Sequence, residues 1–173
     1  MTHPSLDSLL LQKNEGVYTV SEPIVKVSQK AIEQLKGALA HSAKARVRIC
    51  AHPSAQDGVH EMIIALAQGS YIQPHRHLSK SESFHLIEGE LDIIIFDEAG
   101  KVAETIRMGT YDSGLQFYYR MNASLYHTVI VRTSRVIFHE TTTGPFVTGD
   151  AEFASWAPKP DDQAGVHAFL ARF

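Results

Sequence analysis

The amino-acid sequence predicts an all-β sandwich or barrel with helical additions at both ends. From residue 46 onward the chain is built of apolar runs of four to seven residues, separated by turn-forming pairs such as Asp57-Gly58. The clearest hairpin joins Leu91–Phe96 to Val102–Ile106 across a turn at Asp97–Gly100. Many short strands at turn-limited spacing are typical of sandwiches and barrels, and they predict that fold class here.

One domain with three parts is expected. The chain has 173 residues, of which 44% are apolar, so it is long enough to bury a core without staples. Residues 1–44 are predicted to be an N-terminal extension that packs on the barrel, residues 45–160 the barrel itself, and residues 161–173 a short C-terminal helix, from about Gln163 to Leu170.

The extension is predicted to contain two short strands and a helix. The strands are Val17–Val20 and Ile24–Val27, which lie on either side of Pro23. Ser28 is the expected N-cap of the helix, which ends at about residue 40 or 41. Its apolar residues recur at helical spacing, so one face should pack against the barrel.

Charge and cysteine content exclude several classes of partner. The formal net charge is −3 and acidic and basic residues are mixed along the chain, so neither nucleic acid nor a membrane surface is an expected partner. Cys50 is the only cysteine, which excludes an intrachain disulfide and a thiolate zinc cluster and is consistent with a reducing cytoplasm. The first residues lack a positive region, and no apolar run is long enough to cross a bilayer. A cytoplasmic location is therefore expected.

The segment Gly69–Gly89 contains most of the candidate metal-binding residues. Residues two apart on a strand share a face, so His75 and His77 can direct both imidazoles at one point while Arg76 faces away. A short turn would then bring in Glu82 on the next strand, which adds a carboxylate oxygen to two nitrogens. Even positions after Glu82 should continue the inward face. This pattern is typical of a metal-binding site.

The same segment resembles the first signature motif of the cupin superfamily. The motif reads Gly, five residues, His-x-His, three or four residues, Glu, six residues, Gly, and its fixed positions are met by Gly69, His75, His77, Glu82 and Gly89. The second cupin motif ends in Pro-x-Gly-x-x-His. Residues 122–127 keep its spacing and its histidine, His127, but not the proline or the glycine. The resemblance implies a double-stranded β-helix, or jelly-roll barrel, that holds one divalent metal through His75, His77, Glu82 and His127.

A closer resemblance covers most of the chain. The sequence is similar to the WbuC-type cupin-fold metalloproteins, a family associated with bacterial surface-polysaccharide gene clusters. The residues that carry the similarity are Ala45–His52, Glu61-Met62, Tyr71, Pro74–His77, Tyr119-Arg120, Glu140–Phe146 and Trp156–Pro158. The resemblance implies a fold and a metal more firmly than a reaction, and it is the only source of a connection to sugars.

Several cationic residues are candidates for binding a substrate. Arg46 and Arg48 lie two apart on a predicted strand, His52 ends that segment, and Arg120 follows an aromatic run. If the arginines face the barrel mouth, they need an anion such as a carboxylate, a phosphate or a nucleotide-sugar diphosphate. They could equally be solvated cations, or Glu61 or Glu140 could be an internal partner. Catalytic residues cannot be named from the sequence.

Four further histidines are expected to be hydrogen-bonded surface or interface imidazoles rather than ligands. They are His52, His60, His85 and His139. Cupin barrels commonly pair, and the outward residues Ser83, His85 and Ile87 offer a mixed surface that predicts a homodimer.

Two classes of function follow from this reading. The first is a metal-dependent isomerase, hydrolase or lyase that acts on an anionic sugar or sugar derivative, with an iron-dependent dioxygenase as the rival chemistry. The second is a non-catalytic module that senses a bound ligand. Imidazole with carboxylate accepts iron, zinc, manganese or nickel, so the ligand set does not choose the metal. An open barrel mouth would favour the enzyme, and a mouth sealed by side chains would favour the sensor.

Overall fold

The structure, a computed structural model, describes residues 11–20 and 22–173. The first ten residues and Ser21, which belong to the predicted extension, lie outside the described residues. The described chain contains twelve strands and two α-helices. In chain order they are β1 (Leu11–Asn14), β2 (Val17–Thr19), α1 (Gln29–Ala40), β3 (Arg46–Cys50), β4 (Val59–Ala67), β5 (His75–His77), β6 (Glu82–Glu88), β7 (Leu91–Phe96), β8 (Val102–Met108), β9 (Tyr118–Met121), β10 (Tyr126–Val131), β11 (Arg135–Thr143), β12 (Ala151–Phe153) and α2 (Gln163–Leu170).

The strands form two sheets with the strand order of a jelly roll. The first sheet runs β1-β2-β3-β4-β11-β6-β9 and the second runs β12-β5-β10-β7-β8. Within them, β4 to β11 give two antiparallel four-stranded sheets, β4-β11-β6-β9 and β5-β10-β7-β8. This order is that of the double-sheet jelly roll, so the chain has the all-β cupin fold that its motif implies. Strands β1 to β3 extend the first sheet, and β12 extends the second.

The main core lies between the two sheets. Alternating residues of the strands point into it, among them Ile64 and Leu66 of β4 and Phe138 of β11, which are almost fully buried. From the opposite sheet come Ile93 of β7 and Val129 of β10. Register partners on neighbouring strands share a face of the sheet. The strand registers therefore show which other residues of the first sheet point into this core.

Helix α1 covers the outer face of the first sheet. Ser28 caps it by accepting a hydrogen bond from the backbone N–H of Ala31 at 3.2 Å. Leu35 and Leu39 pack with Val47 of β3 in a second cluster. The predicted strand Ile24–Val27 is wrong. Because β2 is already paired with β1 on one side and β3 on the other, the segment has no sheet edge to join there, and no strand forms.

The second sheet is covered on its outside by the C-terminal residues. Helix α2 places Phe169 against Phe96, and Trp156 packs on the same ring with centroids 5.0 Å apart. The predicted hairpin of β7 and β8 and the predicted helix Gln163–Leu170 are both confirmed. At the turn before β7, Gly89 has φ +81°, and a Cβ there would lie 2.4 Å from the carbonyl oxygen of Arg135, so only glycine fits. None of the helices in the described ranges is long and apolar enough to span a membrane.

Candidate metal centre

The four predicted metal ligands come from both sheets at one end of the barrel. His75 and His77 are the outer two residues of the three-residue strand β5, and His127 lies directly opposite His75 on β10. Glu82 begins β6 in the facing sheet, after the short turn that the sequence predicts. Two walls of the barrel therefore present their polar side chains to the same space.

The side chains meet closely. One ligand atom each from His75, His77 and His127 lie within 4.8 Å of one another, so this group could hold a metal ion. The carboxylate of Glu82 approaches two of the imidazoles: its Oε1 is 3.0 Å from Nε2 of His127, and its Oε2 is 3.3 Å from Nε2 of His77. Glu82 and His127 are buried, whereas His75 and His77 are half-buried.

Backbone carbonyls orient two of the imidazoles. Nδ1 of His75 lies 3.0 Å from the carbonyl oxygen of Gln73, and Nδ1 of His127 lies 3.0 Å from that of Leu125. A carbonyl oxygen can only accept, so each Nδ1 carries a hydrogen, and in the neutral imidazole Nε2 is the nitrogen with the lone pair. Metal-ligating histidines are usually held in this way. The donor set therefore fits a divalent ion bound through Nε2 atoms and a carboxylate.

Burial and the interactions between the side chains both shift the pKa values of the group. Burial lowers the pKa of His75 to about 4, so this imidazole is neutral at physiological pH. Burial alone would also lower the pKa of His127, but the hydrogen bond and charge of Glu82 outweigh it and raise the pKa. Burial would raise the pKa of Glu82, yet its hydrogen bonds with His127 and His77 hold it well below the usual value. Glu82 is thus an anion that attracts one positive charge, from a proton or a metal ion.

Tyr119 is a residue of this site that the sequence reading missed. It is buried on β9, and its hydroxyl donates a hydrogen bond to Oε1 of Glu82. The sequence shows it only as the last member of the aromatic run Phe117-Tyr118-Tyr119. The burial of alternate residues along β9 turns Tyr119 and Met121 inward, but the pairing of β9 with β6 is what brings the hydroxyl to Glu82.

Arg46 and Arg48 share the barrel-facing side of the first sheet. They are paired with Leu66 and Ile64 of β4, which belong to the barrel core, so they lie on the same face as that core. Arg46 is exposed and Arg48 half-buried. Within the described ranges, the buried Nε of Arg48 has no hydrogen-bond partner. The face that carries these two residues is therefore the one that also carries Glu82.

Glu140 lies on the same inner face. It stands on β11 between Met62 of β4 and Phe84 of β6 in the strand register. Burial, and then the negative charge of Glu82, raise the pKa of Glu140 to about 8, although the positive charge of Arg48 opposes this shift. At neutral pH the Glu140 carboxyl therefore holds a proton for most of the time.

Arg120 lies elsewhere, whereas His52 lies beside this face. Arg120 stands between the inward residues Tyr119 and Met121, so it is exposed on the outer face of β9, where it donates a hydrogen bond to Oγ of Ser81 at 2.9 Å. The structure does not bring Arg120 onto the face of Arg46 and Arg48, and of the two alternatives left open by the sequence Arg120 has the exposed, outward position. His52 is half-buried just after β3, and burial lowers its pKa.

His60 corrects another expectation. It is only 6% exposed, not on the surface, and its ring stacks on that of His52 with centroids 4.1 Å apart. In the strand register His60 faces Thr142, which in turn faces Glu82, so all three lie in one row of the first sheet. The sequence could not show this, because the row is formed by strands that are distant along the chain.

Comparisons with known proteins add a partial family match and distant structural likenesses. A domain of unknown function (DUF6016) matches residues 27–108, which is less than half of the chain and includes His75, His77 and Glu82 but not His127. Comparison with curated proteins found no match.

Three solved structures illustrate the structural likenesses. The first is a protein from Shewanella oneidensis, with 15% identity, 59% of this chain and 65% of that chain covered, and a TM-score of 0.48. The chain thus spans less than two thirds of that protein's length. A cupin superfamily protein from Desulfitobacterium hafniense has 16% identity, 57% and 76% coverage and a TM-score of 0.43. A protein with a double-stranded β-helix domain from Klebsiella pneumoniae has 14% identity, 65% and 82% coverage and a TM-score of 0.49. The assignment of this chain to the cupin fold rests on the strand order of its two sheets.

Proposed function

We propose that the chain is a metal-dependent cupin that binds one divalent ion through His75, His77, Glu82 and His127. The observation that carries the proposal is the direction of the imidazoles: two Nδ1 atoms are tied to backbone carbonyls, so the free Nε2 atoms are left for an ion beside Glu82. Four protein ligands leave one or two positions of iron, zinc, manganese or nickel for another oxygen. Such an ion would supply polarisation of a substrate oxygen or activation of water.

We also propose that the ligand of this site is a small anion. Arg48 supports this, because its guanidinium lies on the barrel-facing side with a buried Nε that has no partner among the described residues. A buried guanidinium N–H needs an acceptor, and a carboxylate or phosphate matches the geometry of a guanidinium. Arg46 on the same face would add positive charge. The ligand would therefore reach from the arginines to the metal.

Within this proposal, an enzyme is favoured over a sealed sensor. The side chain of His77 is 20% exposed, so the ligand group is open to solvent on one side. Glu140, with a pKa of about 8, is a group on the inner face that can give or take a proton near neutral pH. Isomerase, hydrolase or lyase chemistry would use such a proton. An iron-dependent dioxygenase would need the same ligands but no such acid.

The substrate we propose is a sugar or sugar derivative linked to surface-polysaccharide metabolism. This step is supported by the resemblance of residues 45–52 and 140–146 to the WbuC-type proteins, and by the preference of guanidinium groups for phosphates and carboxylates. We place the protein in the cytoplasm, because Cys50 is its only cysteine and is not paired.

Metal content tests the first part of the proposal. Protein purified without added metal should contain close to one divalent ion per chain by elemental analysis, and His77→Ala or Glu82→Ala should abolish retention. A chain that holds no metal even after reconstitution would overturn the proposal. Equal retention by the wild type and both variants would mean that the site is elsewhere.

Ligand binding tests the second part, and the chain offers a matched control. Arg48→Lys keeps the charge but removes the planar guanidinium, which can donate two parallel hydrogen bonds to one anion. Calorimetry should therefore show binding of sugar phosphates, nucleotide sugars or sugar acids weakened by about 1–3 kcal/mol. Arg120→Lys makes the same change on the outer face and should bind like the wild type. If neutral sugars bind as well as the anions, or if Arg48→Lys is without effect, the anionic ligand is wrong.

A further inference from the structure

The strand that carries two of the histidines is held by few backbone contacts. Strand β5 has three residues, and its register with β10 consists of the single pair His75 and His127. On its other side it pairs with the equally short β12. A backbone ladder of this length does not by itself fix how far His75 and His77 stand from His127. Another set of contacts must set that distance.

Such contacts lie on the outer face of the second sheet, directly behind the histidines. Arg76 stands between His75 and His77 and points away from them. Its guanidinium donates a hydrogen bond to Oε1 of Glu152 at 2.8 Å and lies over the ring of Tyr126, 4.5 Å from the ring centroid. The hydroxyl of Tyr126 donates to the same Oε1 of Glu152. The three side chains form a closed triangle.

The triangle joins three strands at the row of the metal ligands. Arg76 belongs to β5, Tyr126 to β10 and Glu152 to β12, and Glu152 is the register partner of Arg76. Tyr126 immediately precedes His127 in the chain. Each histidine is therefore the chain neighbour of a residue that the triangle fixes.

The contacts are of a kind that holds geometry. A hydrogen bond between guanidinium and carboxylate is charge-assisted and directional, and the aromatic face adds a cation–π contact. Tyr126 is buried, and the side chains of Arg76 and Glu152 are 22% and 40% exposed, so water competes with these contacts less than it would at a fully exposed carboxylate. By contrast, the second carboxylate partner of Arg76, Glu98, contacts it at the same distance of 2.8 Å but is 77% exposed. Glu98 lies in the turn after β7, outside the triangle.

We infer that Arg76, Tyr126 and Glu152 are positioning residues that set the spacing of His75, His77 and His127, an inference that rests on the proposed metal site. None of the three touches the metal space, since all lie on the opposite face of the sheet. They act through the backbone of β5 and β10. Outer contacts that orient metal ligands typically alter affinity about 10–100-fold when removed.

The test uses Co²⁺, whose visible absorption reports coordination geometry. Tyr126→Phe removes one hydroxyl and keeps the aromatic face, and Glu152→Gln removes the charge that both partners contact. Both variants should bind Co²⁺ about 10-fold or more weakly than the wild type in chelator competition, with a changed absorption band. Glu98→Gln is the matched control, because it removes a contact of the same length at an exposed carboxylate, and it should change affinity by about twofold or less.

The outcomes separate positioning from general stability. Urea unfolding of the metal-free proteins gives the loss of stability, and Co²⁺ affinity is measured where every variant is folded. A merely structural role would lower the stability and leave affinity and absorption band as in the wild type, which would overturn the inference. If Glu152→Gln fails to fold, Tyr126→Phe decides the question alone. A wild type that binds no Co²⁺ would overturn the proposed metal site instead.

Discussion

Tyr119 and Glu82 are joined by a buried hydrogen bond that ends on the carboxylate oxygen facing His127. The hydroxyl of Tyr119 donates to Oε1 of Glu82, and Nε2 of His127 lies 3.0 Å from the same atom. Burial, followed by the charge of Glu82, raises the pKa of Tyr119 well above its ordinary value, so the hydroxyl remains a donor at any pH at which the protein is studied. The carboxylate is therefore oriented from one side by a neutral group and from the other by the imidazoles.

Replacing Tyr119 by Phe should weaken both the metal-free fold and metal binding. The change leaves a buried carboxylate oxygen without its neutral donor, and hydrogen bonds to charged groups contribute roughly 1.5–3 kcal/mol. Metal affinity should fall by about 10–100-fold because Glu82 loses its orientation. Chemical denaturation and chelator competition measure the two effects. Tyr118→Phe is the control, since Tyr118 is 50% exposed on the same strand, and an equal effect of both variants would contradict this role for Tyr119.

Metal affinity should rise with pH across the neutral range and then level off. The pKa of His127 is raised by Glu82, so below that pKa a proton occupies Nε2 and must leave before a metal binds. His75, with a pKa of about 4, competes for protons only in acid. Below the pKa of His127, metal binding should therefore release a proton, and calorimetry in buffers of different ionisation enthalpy measures it. Affinity that does not change between mildly acidic and mildly alkaline pH would contradict the coupling of His127 to Glu82.

Most of the metal group was predictable because it depends on local spacing. The period of two on a strand aligns His75 with His77, and a four-residue turn brings in Glu82, so no distant contact is needed to place these three side chains. His127 followed from the spacing of a second motif. The jelly-roll order itself was predictable only through the resemblance, since periodicity alone gives a sandwich or a barrel.

Features that depend on pairing between distant strands were not predictable. The contact of Tyr119 with Glu82 spans 37 positions and requires β9 to pair with β6. The face of Arg48 is set by the pairing of β3 with β4, and the burial of His60 by the pairing of β4 with β11. The strand expected at Ile24–Val27 failed for the same reason, because local propensity cannot show whether a sheet edge is free.

Glu140→Gln should change the pH dependence of stability in the metal-free protein. The folded chain holds a proton on Glu140 up to about pH 8, whereas the unfolded chain loses it near the ordinary value of 4.5. The folded state thus binds more protons between these values, and its stability from this group is present in acid and lost as pH rises towards 8. The variant cannot ionise, so relative to the wild type its free energy of unfolding should improve steadily from pH 5 to pH 8.

Denaturant titrations at several pH values measure this difference. Glu104→Gln, an exposed carboxylate on β8, is the control and should run parallel to the wild type. If Glu140→Gln also runs parallel to the wild type, the carboxyl of Glu140 ionises normally. The proton that the proposed function assigns to it would then have to come from another group.

The final prediction is a homodimer through the outer face of β6 and β9, which we propose as the partner surface for a second copy. Strand β9 is the end of the first sheet, and apolar side chains are exposed beside it: Tyr118 is 50% exposed, Ile87 43% and Phe117 38%. His85 packs edge-on against Phe117. Of the residues expected to line the interface, Ser83 is only 7% exposed, so it would contribute little.

A two-fold interface would bring the same patch of each copy together, and an added charge on it would be doubled in the dimer. Tyr118→Glu and Ile87→Glu should therefore convert a dimer into monomers without loss of the fold, because both side chains are exposed in the single chain. Val102→Glu, at 37% exposed on β8 of the other sheet, is the matched control and should stay dimeric. Light scattering at micromolar concentration measures the mass. A wild type that scatters as a single chain of 19.2 kDa would contradict the dimer, and dissociation by Val102→Glu alone would place the interface on the opposite sheet.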